Sequence, residues 1–188
     1  MKKSYELPRK TTHLLSLFVP WCASRNLLAT QTLILFFILF YAYSEWRKIK
    51  GQKFFAHSFI AKMHRDGEKN NFAKAPLLLA IGALLCITFF HPTAYWIGIY
   101  QAGFCDTVAA ICGKKWGKTK IPFFNRKTYV GSFCFLLAAL PVSFYYLPPA
   151  QALMIAVIGA FLESLPFKDW DNLTVPFVVG FLVEQFLG

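Results

Sequence analysis

The sequence predicts an all-α fold, a polytopic membrane helical bundle of about seven transmembrane helices. Hydrophobic side chains make up 56% of the 188 residues, and the mean hydropathy is +0.45. Soluble globular domains usually have an apolar share of about 45–50%. The apolar residues also form runs long enough for membrane helices, and most basic residues lie between those runs.

The first two apolar runs, 11–23 and 27–45, lie only a few residues apart and predict a helical hairpin. The first is short and contains Pro20, which interrupts a helix. A signal peptide that ends near Ala23 is the alternative. A long basic segment, 46–74, separates this hairpin from the third predicted helix, 75–90.

Short turns and basic loops bound the other helices. Helix four, 94–113, follows the turn at His91 and Pro92 and ends where a lysine-rich loop begins. Helices five and six, 129–147 and 149–166, are separated by a Pro-Pro turn, and helix seven covers 172–187. The whole chain, 1–188, is predicted to be one integral membrane domain.

The basic residues indicate the orientation of the bundle. Twenty Lys and Arg against nine Asp and Glu give a net charge of +11. With the N-terminus inside, 19 of the 20 cations fall in segments 1–10, 46–74, 114–128 and 167–171, and only Arg25 lies on the far side. The positive-inside rule therefore predicts that these segments are cytoplasmic. Cations at a membrane surface call for no nucleic-acid partner.

Two further features are interpreted from composition. Aromatic and basic residues alternate over 53–65, which is typical of a helix in the headgroup plane, although a mobile basic loop is the alternative. None of the cysteines has the spacing of a zinc site, and we expect all five to be small buried apolar residues: Cys22, Cys86, Cys105, Cys112 and Cys134.

Polar residues within the apolar runs converge on the cytoplasmic side. Asp106 lies about 10 Å from that end of its helix. Three other predicted helices bring oxygen groups to the same side: Glu163, Asp171, Asn172, Thr128 and Ser132. A carboxylate in a membrane segment is costly, so its presence indicates a function. Carboxylates beside many lysines are the groups that a magnesium nucleotide requires.

Each of these residues also has a purely structural interpretation. Asp106 would pair with a lysine and hold helices together, and Asp171 with Asn172 would cap the last helix. Glu163 would be an interfacial carboxylate, and the lysines would only set topology. The glycines would serve packing or turns. Residues 113–119 are not a P-loop, because the interval between the glycines is one residue too short and no strand precedes it.

The motifs of this chain resemble those of the membrane lipid kinases that use CTP, the family of dolichol kinase, phytol kinase and the CTP-dependent diacylglycerol kinase. That family is related to phosphatidate cytidylyltransferases. The resemblance rests on four motifs and two weaker ones: Asp106-Thr-x-Ala-Ala-x-x-Gly113-Lys-x-x-Gly117-Lys-x-Lys, Lys127-Thr-x-x-Gly131-Ser, Glu163-x-Leu-Pro166, Asp171-Asn-Leu-x-Val-Pro176, Arg9-Lys-x-x-His13 and Arg65-x-x-Glu68. The chain departs from the usual pattern at Val130 and Trp170, where the family usually carries acids.

The resemblance implies transfer of a phosphate from CTP, with Mg²⁺, to the hydroxyl of a membrane lipid alcohol. It implies catalytic roles for Asp106, Lys127, Glu163 and Asp171, the three acids also holding the metal. Nucleotide contacts would come from Gly113, Lys114, Gly117, Lys118, Lys120, Lys127, Thr128, Gly131, Ser132 and Asn172. Substrate or supporting contacts would come from Arg9, Lys10, His13, Arg65 and Glu68.

Two other functions remain open at this point. One is cytidylyl transfer to a phospholipid phosphate. The other is a non-catalytic membrane protein or small transporter, whose ion path would include Glu184. The expected location of the protein is the bacterial plasma membrane, with the site facing the cytoplasm and a homodimer as a possible assembly.

Overall fold

The computed structural model describes residues 6–52, 72–122, 127–166 and 169–187, and apart from one isolated bridge the secondary structure in these ranges is helical. The first four helices are α1 Glu6–Leu15, α2 Phe18–Arg25, α3 Leu27–Ile49 and α4 Ala75–Phe89. A continuous helical stretch follows: α5 Pro92–Tyr100, a π-helical turn Gln101–Cys105 and α6 Asp106–Trp116. The last three are α7 Tyr129–Tyr146, α8 Pro149–Ser164 and α9 Asp171–Leu187.

The all-α prediction is confirmed, and most predicted helix boundaries lie within four residues of those observed. The first predicted helix is the exception, because it is divided into α1 and α2 at Ser16 and Leu17. Pro20 explains the position of this break. Its ring would collide with the carbonyl of Ser16 in a continuous helix, and it has no N–H to donate there.

Local capping bonds fix where several helices begin. The α2–α3 hairpin turns at Asn26, whose side chain accepts a hydrogen bond from the Ala29 N–H at 3.0 Å. Thr128 caps α7 in the same way, accepting from the Gly131 N–H at 3.1 Å. Such caps satisfy N–H groups that the first turn of a helix leaves without partners.

The core lies between α5, α7, α8 and α9, and its buried side chains are mostly small or β-branched. Two glycines allow α9 to approach its neighbours closely. A Cβ at Gly98 of α5 would lie 2.5 Å from the Pro176 carbonyl oxygen, and one at Gly82 of α4 would lie 3.0 Å from the Asn172 carbonyl oxygen. Close contact through small residues is typical of membrane helix packing.

Among the described residues, two helices are long and apolar enough to cross a membrane, α3 and α7. The outer face of α3 is apolar and exposed, with Leu28, Leu33 and Phe36 each about two-thirds exposed or more. An uncovered apolar face of this kind is expected to contact lipid or protein. Two further apolar helices, α4 and α8, are shorter, so seven complete spans stay a prediction.

The end of α3 is tied to the start of α4 across the basic segment. Glu45 is fully buried and accepts hydrogen bonds from Lys48 Nζ at 2.6 Å and from the Ala73 N–H at 2.8 Å. Tyr41 Oη donates to the Ala73 carbonyl at 3.1 Å. The predicted interfacial helix falls within 53–71, outside the described residues.

The prediction for the cysteines is correct in part. All five are free thiols. Cys86 and Cys105 are buried as expected, but Cys22, Cys112 and Cys134 are only partly buried, because each lies on a helix face that the bundle does not fully cover.

Candidate active site

Asp106 is paired with two basic side chains from α1. Lys10 Nζ donates to Asp106 Oδ2 at 2.7 Å and to the Asp106 carbonyl at 3.0 Å. His13 Nδ1 lies 3.1 Å from the same Oδ2 atom and 3.2 Å from the Ala102 carbonyl. The structure therefore joins Lys10 and His13, predicted from one of the two weaker motifs, to the central acid. The structural interpretation of Asp106 predicted that it would pair with a lysine, and the structure confirms this contact.

Helix α1 packs against the π-helical turn that precedes Asp106. A Cβ at Gly103 would lie 2.7 Å from both the His13 carbonyl oxygen and Ser16 Oγ, so only glycine permits this approach. π-turns inside α-helices occur frequently at functional sites. Gly103 and the π-turn together bring Lys10 and His13 to Asp106.

A second group of charges gathers around Lys127, which lies in the loop before α7. Its Nζ donates to Glu163 Oε1 at 2.6 Å and to Asp171 Oδ2 at 2.9 Å. Ser132 Oγ lies 3.4 Å from Glu163 Oε2. Residues from α7, α8, α9 and the loop thus meet in one place, as the sequence predicted.

The two groups form one electrostatic cluster. Burial alone would lower the pKa of Lys127, but the negative charges of Glu163, Asp171 and Asp106 outweigh it and hold that pKa above its ordinary value. Lys127 is therefore a cation throughout the physiological range. The charge of Asp106 reaches the Lys127 group even though its hydrogen bonds go to α1.

The two ends of the basic loop are paired through their backbones, next to Lys127. Lys120 and Thr128 form an antiparallel bridge, and the Ile121 N–H donates to the Lys127 carbonyl at 3.1 Å. This pairing closes the basic loop and fixes the backbone of Lys127. The sequence predicted a nucleotide-binding loop over 114–128 but not this pairing.

Three predicted nucleotide-binding glycines surround the Thr128 hydroxyl. A Cβ at Gly113 would lie 2.7 Å from Thr128 Oγ1, and one at Gly131 would lie 3.1 Å from it. A Cβ at Gly117 would meet both Thr128 Oγ1 and the Gly113 carbonyl oxygen at 2.5 Å or less. The packing interpretation of these glycines is confirmed as a contact, and their contact with nucleotide stays a prediction.

The other predicted cations either are exposed or have side chains outside the described residues. Lys114, Lys118 and Lys120 are exposed on the loop side of the site. Arg9 belongs to α1, but its side chain is outside the described residues, as are Arg65 and Glu68. The roles predicted for these six residues therefore stay predictions.

The start of α9 carries the remaining polar groups. Asn172 is buried, and Asp171 Oδ1 accepts from the Asn172 N–H at 3.1 Å. Asp169 has a φ of 64°, in the left-handed region, so the chain bends just ahead of α9. Asp169 is buried and lies before the first residue of α9.

The donor set suits a hard divalent cation, because Mg²⁺ prefers carboxylate oxygens. In the described ranges, however, no three His, Cys, Asp or Glu side chains are close enough together to form a ready-made metal site. Lysine ammonium groups lie against Asp106, Glu163 and Asp171 instead. The three carboxylates that would hold Mg²⁺ are therefore paired with lysines in this structure, and the metal assignment stays a prediction.

Sequence reasoning missed Gly103 and Gln101 of the π-turn. Gln101 is fully buried, and a Cβ at Gly159 would overlap its side-chain oxygen. A polar residue among apolar neighbours, two positions before a glycine, was the available signal. The role of these two residues depends on the close approach of α1 and α8, and a local sequence pattern does not predict that approach.

Comparison with known proteins gives several relatives of stated activity. "Phytol kinase 1, chloroplastic" of Arabidopsis thaliana is 29% identical over 62% of this chain and 45% of its own length. "Probable phytol kinase 2, chloroplastic" of Oryza sativa is 29% identical over 67% of this chain and 48% of its own length. "Probable phytol kinase, chloroplastic" of Triticum aestivum is 29% identical over 94% of this chain and 67% of its own length.

The chain is similar to proteins named phytol kinases. The resemblance to the CTP-dependent lipid kinase family is thereby confirmed. The chain spans about half the length of the first two proteins that it matches. No family model matches the chain, and no solved structure matches it. The three names describe chloroplast proteins, so they give no support to the predicted bacterial plasma membrane.

Proposed function

We propose that this protein is a lipid alcohol kinase, which transfers the terminal phosphate of CTP to the hydroxyl of a membrane lipid. A phytol-like isoprenoid alcohol is the first candidate substrate, ahead of polyprenols and diacylglycerol. The observation that carries the proposal is the cluster of Asp106, Glu163 and Asp171 with Lys10 and Lys127. Its support from outside the structure is the similarity to proteins named phytol kinases.

In the proposed reaction, the lipid hydroxyl oxygen attacks the terminal phosphorus, and the bond from that phosphorus to the bridging oxygen breaks. The nucleoside diphosphate leaves, and the hydroxyl proton passes to a carboxylate, for which Asp106 is our candidate. Lys127 and Lys10 neutralise negative charge on the phosphates, which is the main task of the protein in phosphoryl transfer. Thr128, Ser132 and Asn172 supply hydrogen bonds.

Mg²⁺, when bound, would supply positive charge at the phosphates. The residues proposed to hold it are Asp106, Asp171 and Glu163. The exposed Lys114, Lys118 and Lys120 would attract the nucleotide from the aqueous side.

The proposed setting is an integral membrane protein with seven spans and the cluster at the cytoplasmic end. Two helices of sufficient length and hydropathy, together with the exposed apolar face of α3, support it. A lipid alcohol would then reach the cluster from the bilayer, while the nucleotide arrives from water.

The transporter alternative relied on Glu184 as part of an ion path. In the structure Glu184 Oε2 accepts a hydrogen bond from the His91 N–H at 2.7 Å, at the start of α5 and remote from the cluster. This contact gives Glu184 a capping role and favours the kinase.

The proposal is tested by incubating the purified protein with CTP labelled at the terminal phosphate, Mg²⁺ and phytol. We expect the label to enter the organic phase as phytyl phosphate. Release of pyrophosphate with cytidine in the lipid would show the cytidylyltransferase instead. No transfer to phytol, polyprenol or diacylglycerol from any nucleoside triphosphate would reject both enzymes.

Asp106→Asn is the sharpest variant for this assay. We expect turnover to fall by at least about 10²-fold, because the amide neither accepts the proton nor attracts Lys10 as the carboxylate does. Glu184→Gln is the matched control, since it makes the same chemical change at the opposite end of the bundle. Equal activities of the two variants would remove Asp106 from the reaction.

A further inference from the structure

An apolar cavity of about 270 Å³ lies between α1, α2, α3 and α4. Its walls are almost wholly hydrocarbon, with main contributions from Leu15, Val19, Ile34, Phe37, Leu79 and Ala80. A cavity of roughly 150 Å³ with such walls stays dry and holds a benzene molecule. This one therefore has room for a longer piece of hydrocarbon.

One wall of the cavity is continuous with the charged cluster. Thr12 of α1 and Ser16, just beyond the end of α1, both line the cavity. His13 lies between them in sequence, and its Nδ1 is 3.1 Å from Asp106 Oδ2. Ser16 Oγ donates to the His13 carbonyl at 2.6 Å, which holds this hydroxyl at the border of the cavity. Because Thr12 immediately precedes His13, the wall of the cavity is joined through α1 to a residue that contacts the acid.

The cavity opens sideways, through side chains that the bundle leaves exposed. Leu15, Leu33 and Phe37 line it and are 56%, 69% and 39% exposed. Leu33 belongs to the exposed apolar face of α3 described above, and Leu15 and Phe37 line the same opening. A lipid could enter along this face without crossing water.

We propose that this cavity binds the hydrocarbon chain of the lipid alcohol and directs its hydroxyl toward Asp106. The inference rests on the proposed function and adds the position of the substrate to it. The nucleotide is excluded from the cavity, since its polar groups would lose their hydrogen bonds to water among hydrocarbon side chains. An isoprenoid or other aliphatic chain has no hydrogen bonds to water to lose there, and removing its apolar surface from water is favourable.

The first test fills the cavity and compares two alcohols. Ala80→Phe adds a ring to the α4 wall, and Ala42→Phe makes the same change on α3 at a half-buried position outside the cavity lining. Displacing about two methylene groups of a bound chain should raise KM for phytol about tenfold. KM and kcat for the short alcohol prenol should change little, and Ala42→Phe should leave both alcohols unaffected. Equal effects on phytol and prenol would overturn the inference.

The second test does not depend on turnover or on the folding of a variant. The wild-type protein is irradiated with a phytol analogue that carries a diazirine in its chain, with and without excess phytol. We expect labelled peptides from α1, α3 and α4, and we expect excess phytol to suppress the label. Labelling confined to α7 and α8 would overturn the inference. Labelling at the cavity without phosphorylation of any alcohol would retain the binding site and reject the kinase.

Discussion

Lys127 connects two consecutive helices from a distant loop, because its ammonium group bonds to Glu163 at the end of α8 and to Asp171 at the start of α9, 36 and 44 positions further along the chain. The sequence predicted that all three residues lie on one side of the bundle. It did not predict which lysine would pair with which acid, since many lysines are near enough along the chain. That choice depends on the Lys120–Thr128 bridge, which fixes where the loop returns.

Lys127→Met should damage both stability and activity. It leaves Glu163, which is only 6% exposed at its side chain, without its cation. Breaking a fully buried pair costs about 3–5 kcal/mol, and since Lys127 is 22% exposed we expect about 2 kcal/mol here. The melting temperature in detergent should fall by about 4–8 °C, and lipid phosphorylation should be lost.

Two variants control this experiment. Lys127→Arg keeps the charge and should keep most of the stability. Lys115→Met removes an exposed lysine whose ammonium lies 4.8 Å from the Trp116 ring centre, and it should melt like the wild type. A wild-type melting temperature for Lys127→Met would show that the ion pairs contribute nothing.

At the scale of helices, the junction of α6 and α7 is built around one hydroxyl. Thr128 caps α7, and Gly113, Gly117 and Gly131 leave the space that its Oγ1 occupies. This arrangement explains the glycines through packing, whereas the family resemblance explains them through nucleotide binding. The two explanations differ in what they predict for a pair of substitutions.

Gly113→Ala should cost about 1–3 kcal/mol of stability in the wild type, because its Cβ would lie 2.7 Å from Thr128 Oγ1. In a Thr128→Ala background the same substitution should cost almost nothing, since the next atom is the Gly131 Cα at 3.4 Å. Thermal unfolding of the four proteins completes a double-mutant cycle. Independent, additive costs would contradict steric coupling, and a separate loss of CTP binding by Gly113→Ala would support contact with nucleotide.

The sequence predicted the helices, but it did not predict the π-turn within one of them or the pairing of side chains between them. Runs of apolar residues and the turns at His91, Pro92, Pro148 and Pro149 placed the boundaries well. The π-turn at 101–105 has no local sequence signature, because it depends on α1 packing against Gly103. For the same reason, a weak motif suggests that Lys10 and His13 belong to the site, but it does not predict that they pair with Asp106.

At the scale of the whole molecule, the cluster and the Glu184 cap should face opposite sides of the membrane. The continuous helical stretch from Pro92 to Trp116 rises about 36 Å, which exceeds the roughly 30 Å of a bilayer core. His91 and Lys118 lie just beyond its two ends. In the predicted topology, 19 of the 20 cations fall on the Lys118 side.

Single cysteines at these two positions test the orientation. In a background without the five native cysteines, Lys118→Cys and His91→Cys are treated with a membrane-impermeant maleimide in sealed, right-side-out vesicles. We expect only the His91→Cys protein to react until the vesicles are opened, when both should react. Reaction of both proteins from the same side would contradict a spanning arrangement and the proposed cytoplasmic site.

The hydrogen bonds of Tyr41 and Glu45 with Ala73 determine how the fold responds to changes in the length of the basic segment. They tie residues 28 and 32 positions apart, so the two ends of the basic segment are held at one point whatever lies between them. The entropy of closing a loop grows only slowly with its length. Insertions between residues 53 and 71 that retain Arg65 and Glu68 should therefore leave the spacing of α3 and α4 unaltered.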